Sequence, residues 1–146
     1  MKKDQQPEIA KMAERLLAEL ERVVRGFARY HKYTLGTDIR NQAMTVVRHC
    51  HRAWRDRARQ EYWKSELVWA IDELKLSLQI GSQIHAFKSF SQFESLIRTA
   101  EELGRCAGGW KRGTYLKGQN STSEASPERA QILSGRAASV AMGANL

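Results

Sequence analysis

Arg48, Arg52, Arg55 and Arg59 follow one another at spacings of four, three and four. On a helix turning about 100° per residue, that spacing stacks their side chains along one face. A guanidinium group is permanently charged and donates in a planar fork, so a row of them is chemistry for holding phosphate or carboxylate oxygens. Like charges at i,i+4 cost a few tenths of a kcal/mol per pair, and Asp56 is the one acid close enough in sequence to offset them. A face that gives up stability in this way is a candidate for meeting something anionic. The same residues also describe a solvated face rich in a good helix former. Arg40 and Lys32 flank the row on its N-terminal side.

Other recognisable chemistry is missing. The chain has no P-loop glycine motif, no HExxH, no paired CxxC and no nucleophile elbow. Gly104, Gly108 and Gly109 fall near an expected helix C-terminus, where the dipole has the wrong sign for phosphate. Cys50 and Cys106 are the two cysteines, and the expectation is two unpaired thiols in a reducing compartment. Two thiols do not complete a four-ligand zinc site, and His49 and His51 straddle Cys50 without metal-ligand spacing. The pattern points to a binding or assembly protein, with no catalytic residues, cofactor or metal.

The net charge of +8 and a pI near 9.8 favour an anionic partner. Ten basic residues face two acids between Arg22 and Arg59, whereas seven acids face five bases between Gln60 and Arg105. Cationic character is therefore concentrated in the first half of the fold, the asymmetry expected of a nucleic-acid face.

Helices must position these groups. The two prolines, Pro7 and Pro127, lie outside an interior rich in helix formers. Apolar residues at three- and four-residue spacing predict a first helix over 8–27, loosened at Gly26. A second helix over 39–59 carries the arginine row outward and Ile39, Ala43, Val46, Cys50 and Trp54 inward. Thr34 or Thr37 is its expected cap. Before it, Tyr30 and Tyr33 alternate with Arg29, His31 and Lys32; the tyrosines close the bundle end or stack on bases.

A third helix over 61–84 buries Leu67, Ala70, Ile71, Leu74, Leu78 and Gly81, with Lys64 outside. Val68, Trp69, Leu76 and Ile80 form a second apolar face, which points to self-association. A fourth helix starts near Phe90 and ends at Gly108-Gly109. The expected fold is all-α, an antiparallel up-down-up-down four-helix bundle over 8–112. The composition turns to Gly, Ser, Ala, Asn and Gln over 113–146. That stretch is expected to be a disordered or weakly helical flexible tail, with a linker over 113–127 and a weak helix over 127–140. No apolar run approaches the ~20 residues of a membrane span and no secretory signal appears at the start, so the expected location is cytoplasmic and off the membrane.

Two anchors carry a family resemblance. His31-Lys32-Tyr33-Thr34-Leu35-Gly36 with Ile39-Arg40, followed by Glu102-Leu103-Gly104-Arg105-Cys106-Ala107-Gly108-Gly109-Trp110, resembles the accessory variability determinant (Avd) proteins of diversity-generating retroelements. The similarity spans residues 8–112. The Tyr-Thr-Leu-Gly element is common to these and to the four-helix proteins encoded in intervening sequences of bacterial 23S rRNA genes; the Gly-Arg-x-x-Gly-Gly-Trp ending is more specific to the retroelement proteins. The resemblance implies a homopentameric barrel of four-helix bundles. It also implies partnership with the element's reverse transcriptase and its template RNA or an RNA/DNA hybrid, the partner carrying the catalysis of mutagenic cDNA synthesis.

The expected nucleic-acid contacts are Arg48, Arg52, Arg55, Arg59, Arg40 and Lys32. The expected oligomer or partner contacts are Trp69, Trp110 and Tyr33. Trp110 seals the bundle end or a subunit interface, or else touches the reverse transcriptase. Two other roles stay open: an rRNA intervening-sequence protein without a reverse transcriptase, and a structural oligomer whose arginines pair with acidic protein surface such as Glu66, Asp72 and Glu73.

Overall fold

The computed structural model describes residues 5–118. Among them every regular element is helical: α1 (Glu8–Arg25), α2 (Arg29–Lys32), α3 (Leu35–Arg55), a 3-10 turn (Arg57–Arg59), α4 (Gln60–Gln83) and α5 (Phe90–Gly118). The chain divides into two units, Met1–Arg112 and Gly113–Leu146, and the core described here belongs to the first. None of the described helices is long and apolar enough to cross a membrane.

Each long helix contributes one stripe to a single core. Leu16, Leu20 and Val24 come from α1, Ile39, Val46 and Cys50 from α3, Leu67, Ile71, Leu74 and Leu78 from α4, and Leu96, Leu103 and Ala107 from α5. A fully buried leucine contributes about 1.5–3 kcal/mol relative to exposure, so these stripes outweigh the local preferences of the residues between them. Helix α3 packs against both α1 and α4. Its Arg40–Glu21 ion pair and the hydrogen bond between His51 Nε2 and Glu14 at 2.9 Å reach α1, and the Ser95 hydroxyl of α5 donates to Glu19 of α1 at 3.5 Å.

Helix α3 starts at Leu35 rather than Ile39, which places Gly36 inside its first turn and buries it. A Cβ at Gly36 would sit 2.7 Å from Val24 Cγ1 and 3.3 Å from the His31 carbonyl oxygen. Only the absence of a side chain lets the start of α3 approach α1 this closely. Thr34 occupies the N-cap position but makes no cap; its hydroxyl donates backward to the Tyr30 carbonyl at 3.0 Å.

At its other end α3 stops at Arg55, not Arg59. The Asp56 carboxylate accepts from Trp63 Nε1 and Arg59 Nε, each at 3.0 Å. Gln60 Nε2 donates to the Ala53 carbonyl at 2.8 Å, satisfying a group the ending helix leaves open. The chain is turned by these side chains into the 3-10 segment. The inward stripe of α3 is completed by Ala53, seven residues beyond Val46 and in line with it, while Trp54 is only half-buried.

Two further expectations fail for the same tertiary reason. Lys64 is buried, 2% exposed, because its ammonium group lies 4.6 Å from the Trp110 ring centroid and donates to the Trp110 carbonyl at 3.5 Å. Gly108-Gly109 does not end α5, and no described glycine has positive φ. Continuing the helix keeps Ala107 in the core and packs Trp110 against it, which outweighs the intrinsic cost of about 1 kcal/mol per glycine. The expected linker over 113–127 therefore overlaps α5 as far as Gly118. The rest of the expected tail, 119–146, lies outside the described residues.

Candidate nucleic-acid interface

Arg48, Arg52 and Arg55 are all exposed on the outer face of α3, opposite its buried stripe, because spacings of four and three keep them within a narrow arc. Among the described residues none of the three pairs with a carboxylate. Arg59 is exposed on the 3-10 turn and pairs with Asp56 at 3.0 Å. It joins the α3 row in space although it has left the helix.

Aromatic rings hold three of these side chains, Arg52, Arg55 and Arg59. The Arg55 guanidinium lies over Trp54, 4.5 Å from the ring centroid. Arg52 and Arg59 both approach the ring of Trp63, at 4.9 and 5.7 Å. Trp63 is itself fixed by its bond to Asp56 and by the rings of His49, at 5.4 Å, and Tyr62, at 4.9 Å. Cation–π contact is worth roughly 0.5–1 kcal/mol at such exposed sites. Its larger consequence is ordering, since a stacked guanidinium has less rotamer freedom to lose when it meets an anion. The tryptophan at 63 was not among the expected site residues. It belongs to the next helix, and no spacing rule brings it to Arg52, eleven positions earlier.

The bond from Trp63, aided by Arg59, holds the Asp56 carboxyl below its ordinary range, so it stays charged. Burial, with Arg52 adding its charge, pushes the His49 imidazole below its ordinary value. His49 is then neutral at neutral pH, and its Nδ1 accepts from Arg52 Nη1 at 3.3 Å. A group held neutral in the folded state contributes nothing to pH dependence above its unfolded value of about 6.5. Below that the unfolded chain takes the proton first, and stability declines until pH passes the folded value. Urea midpoints are expected to fall as pH drops from 7 through the range below about 6.5, with a shallower decline in His49→Phe.

The remaining expected contacts lie elsewhere. Arg40 is engaged with Glu21 of α1. With Lys32, Tyr33, Arg25 and Val24 these two line a hollow of about 240 Å³. Arg40 precedes Arg52 by twelve residues, about 18 Å along the helix, so Arg40 and Lys32 do not belong to the aromatic-backed group. Tyr30 and Tyr33 are both exposed and close nothing; Phe27 and Phe87, edge to face at 5.1 Å, fill that end. Trp110 is turned inward over Lys64. Trp69 is 39% exposed on α4, as expected of an outward residue.

Neither thiol is prepared for chemistry. Burial pushes Cys50 up to about 12, and burial with Glu102 nearby raises Cys106. No group of three His, Cys, Asp or Glu suited to a metal ion occurs among the described residues. No family model matches this chain, and no curated protein matches it.

Proposed function

We propose that this chain is a non-catalytic, nucleic-acid-binding assembly protein that works as the accessory factor of a diversity-generating retroelement. In this role the α3 face holds template RNA or the RNA/DNA hybrid, and the element's reverse transcriptase carries the chemistry. The carrying observation is the set of three exposed arginines, Arg48, Arg52 and Arg55, that no described carboxylate neutralises. Phosphate is the partner such a row suits. The retroelement assignment rests on the two sequence anchors, Tyr33-Thr34-Leu35-Gly36 and Gly104-Arg105 through Trp110.

The four long helices are read as an antiparallel up-down-up-down bundle. Contacts of early with late residues support it: Glu14 with His51, Glu21 with Arg40, and Lys64 with Trp110. The chain works as a homo-oligomer, a pentamer as the resemblance implies. The exposed apolar residues of α4 are its contact, so that several arginine faces engage one nucleic acid. Cytoplasmic location accords with that role.

Charge reversal tests the interface. Arg52→Glu combined with Arg55→Glu is expected to weaken RNA binding by tenfold or more. The slope of log affinity against log salt should fall by about two, with the helical circular dichroism spectrum unchanged. Unaltered affinity and slope would move the interface away from α3.

A further inference from the structure

The α3–α4 corner distinguishes its arginines from one another. Arg55 is the last residue of α3, exposed, and backed on one side by the Trp54 ring at 4.5 Å. Asp56, the acid next to it in sequence, spends its carboxylate on Trp63 Nε1 and Arg59. The Arg55 guanidinium is therefore matched by no described carboxylate, and its outer side is open to solvent. Arg52 and Arg59 are held by a different indole, Trp63. Phosphate binding along a backbone uses the charge of the guanidinium group and its fork of donors. It does not need a tryptophan behind the cation. A planar cation supported by an indole is instead suited to continuing a stack, and nucleobases stack on arginine planes as they do on aromatic rings.

We propose that this corner binds an unpaired nucleotide, its base stacked on the Arg55 guanidinium backed by Trp54 and its flanking phosphates held by Arg52 and Arg59, so that single-stranded RNA or DNA is preferred over duplex. The proposal rests on the nucleic-acid role of α3 and adds the form of nucleic acid recognised. In a duplex the bases are stacked on each other and offer the protein only their edges and the phosphates. An unpaired strand offers its faces. Trp63 and Asp56 act here as positioning residues, setting where the two phosphate-binding arginines stand.

The test uses the full chain and three labelled probes of equal length: an unstructured RNA strand, the same strand annealed to its complement, and an abasic strand. Wild-type protein is expected to bind the unstructured strand about tenfold more tightly than either of the others. Arg55→Lys keeps the charge and removes the plane. Its loss of affinity for the unstructured strand should exceed its loss on the duplex, bringing the unstructured strand down to the abasic level. Trp54→Leu, which removes the backing, should lower the same preference. Equal binding of all three probes by the wild type overturns the proposal without any variant being needed. So does an Arg55→Lys variant that weakens all three probes alike or changes none. The underlying role of α3 fails separately: its sign is that Arg52→Glu with Arg55→Glu leaves every probe unaffected. If that reversal weakens all probes and no preference for the unpaired strand exists, only the stacking proposal is lost.

Discussion

Replacing Gly36 with leucine is expected to destabilise the bundle by about 3 kcal/mol, the upper end of what overpacking a well-filled site costs. A Cβ there would stand 2.7 Å from Val24 Cγ1, a side chain that is buried and, being β-branched, stiff. The His31 carbonyl at 3.3 Å closes the other direction. Alanine at the same position sets two effects against each other. Helix propensity favours alanine over glycine by about 0.8–1.0 kcal/mol, whereas the contact with Val24 forces α1 and α3 apart. Overpacking of about 1–3 kcal/mol wins, so Gly36→Ala should also destabilise, by less than leucine does. Gly104 provides the contrast inside α5. Its nearest contacts for an added Cβ are at 3.6 Å, ordinary packing distance, so Gly104→Ala should gain up to about 1 kcal/mol from propensity alone. Urea denaturation of the three variants checks both signs at once. A stabilised Gly36→Ala protein would mean that the first turn of α3 does not press on α1.

The same contrast explains how far the sequence could be read. The stripes Leu67, Ala70, Ile71, Leu74 and Leu78 on α4 and Ile39, Ala43, Val46 and Cys50 on α3 are visible as spacing, and all are buried. Periodicity depends only on local geometry, so it survives translation into three dimensions. What was illegible depends on partners distant in sequence. Gly36 reads as a loop residue until Val24 is placed beside it. Lys64 reads as a surface lysine until Trp110, 46 positions later, covers it. The end of α3 is set by Trp63 and Gln60 reaching back from α4, so no cap signal marks it. The arginine row fared likewise. Its members on α3 share a face as spacing requires, while the Trp63 indole that orders Arg52, and the Glu21 that occupies Arg40, come from outside the pattern.

Placing glutamate at both Leu76 and Ile80 is expected to convert the proposed homo-oligomer into a monomer of 16.7 kDa by light scattering. Tyr62, Trp69, Leu76, Ile80 and Ile84 follow at spacings of seven, seven, four and four. They lie on one side of the α4 axis as it continues into Ile84, with Leu76 57% and Tyr62 53% exposed. The stripe is about 33 Å long, more than the scattered apolar residues of an ordinary surface require. Burying one leucine or isoleucine contributes about 1.5–3 kcal/mol, and association costs at least about 4 kcal/mol in lost freedom. Two such residues per contact therefore stand between assembly and none. Because both positions are solvent-facing within one chain, the double variant should keep its helical content and its unfolding midpoint under conditions where the wild type is dilute enough to dissociate. RNA affinity should fall along with the mass, since separate chains lose the multivalency of joined arginine faces although every arginine remains. Retained mass in a folded double variant would put the subunit contact on another surface and leave the α4 stripe without a partner.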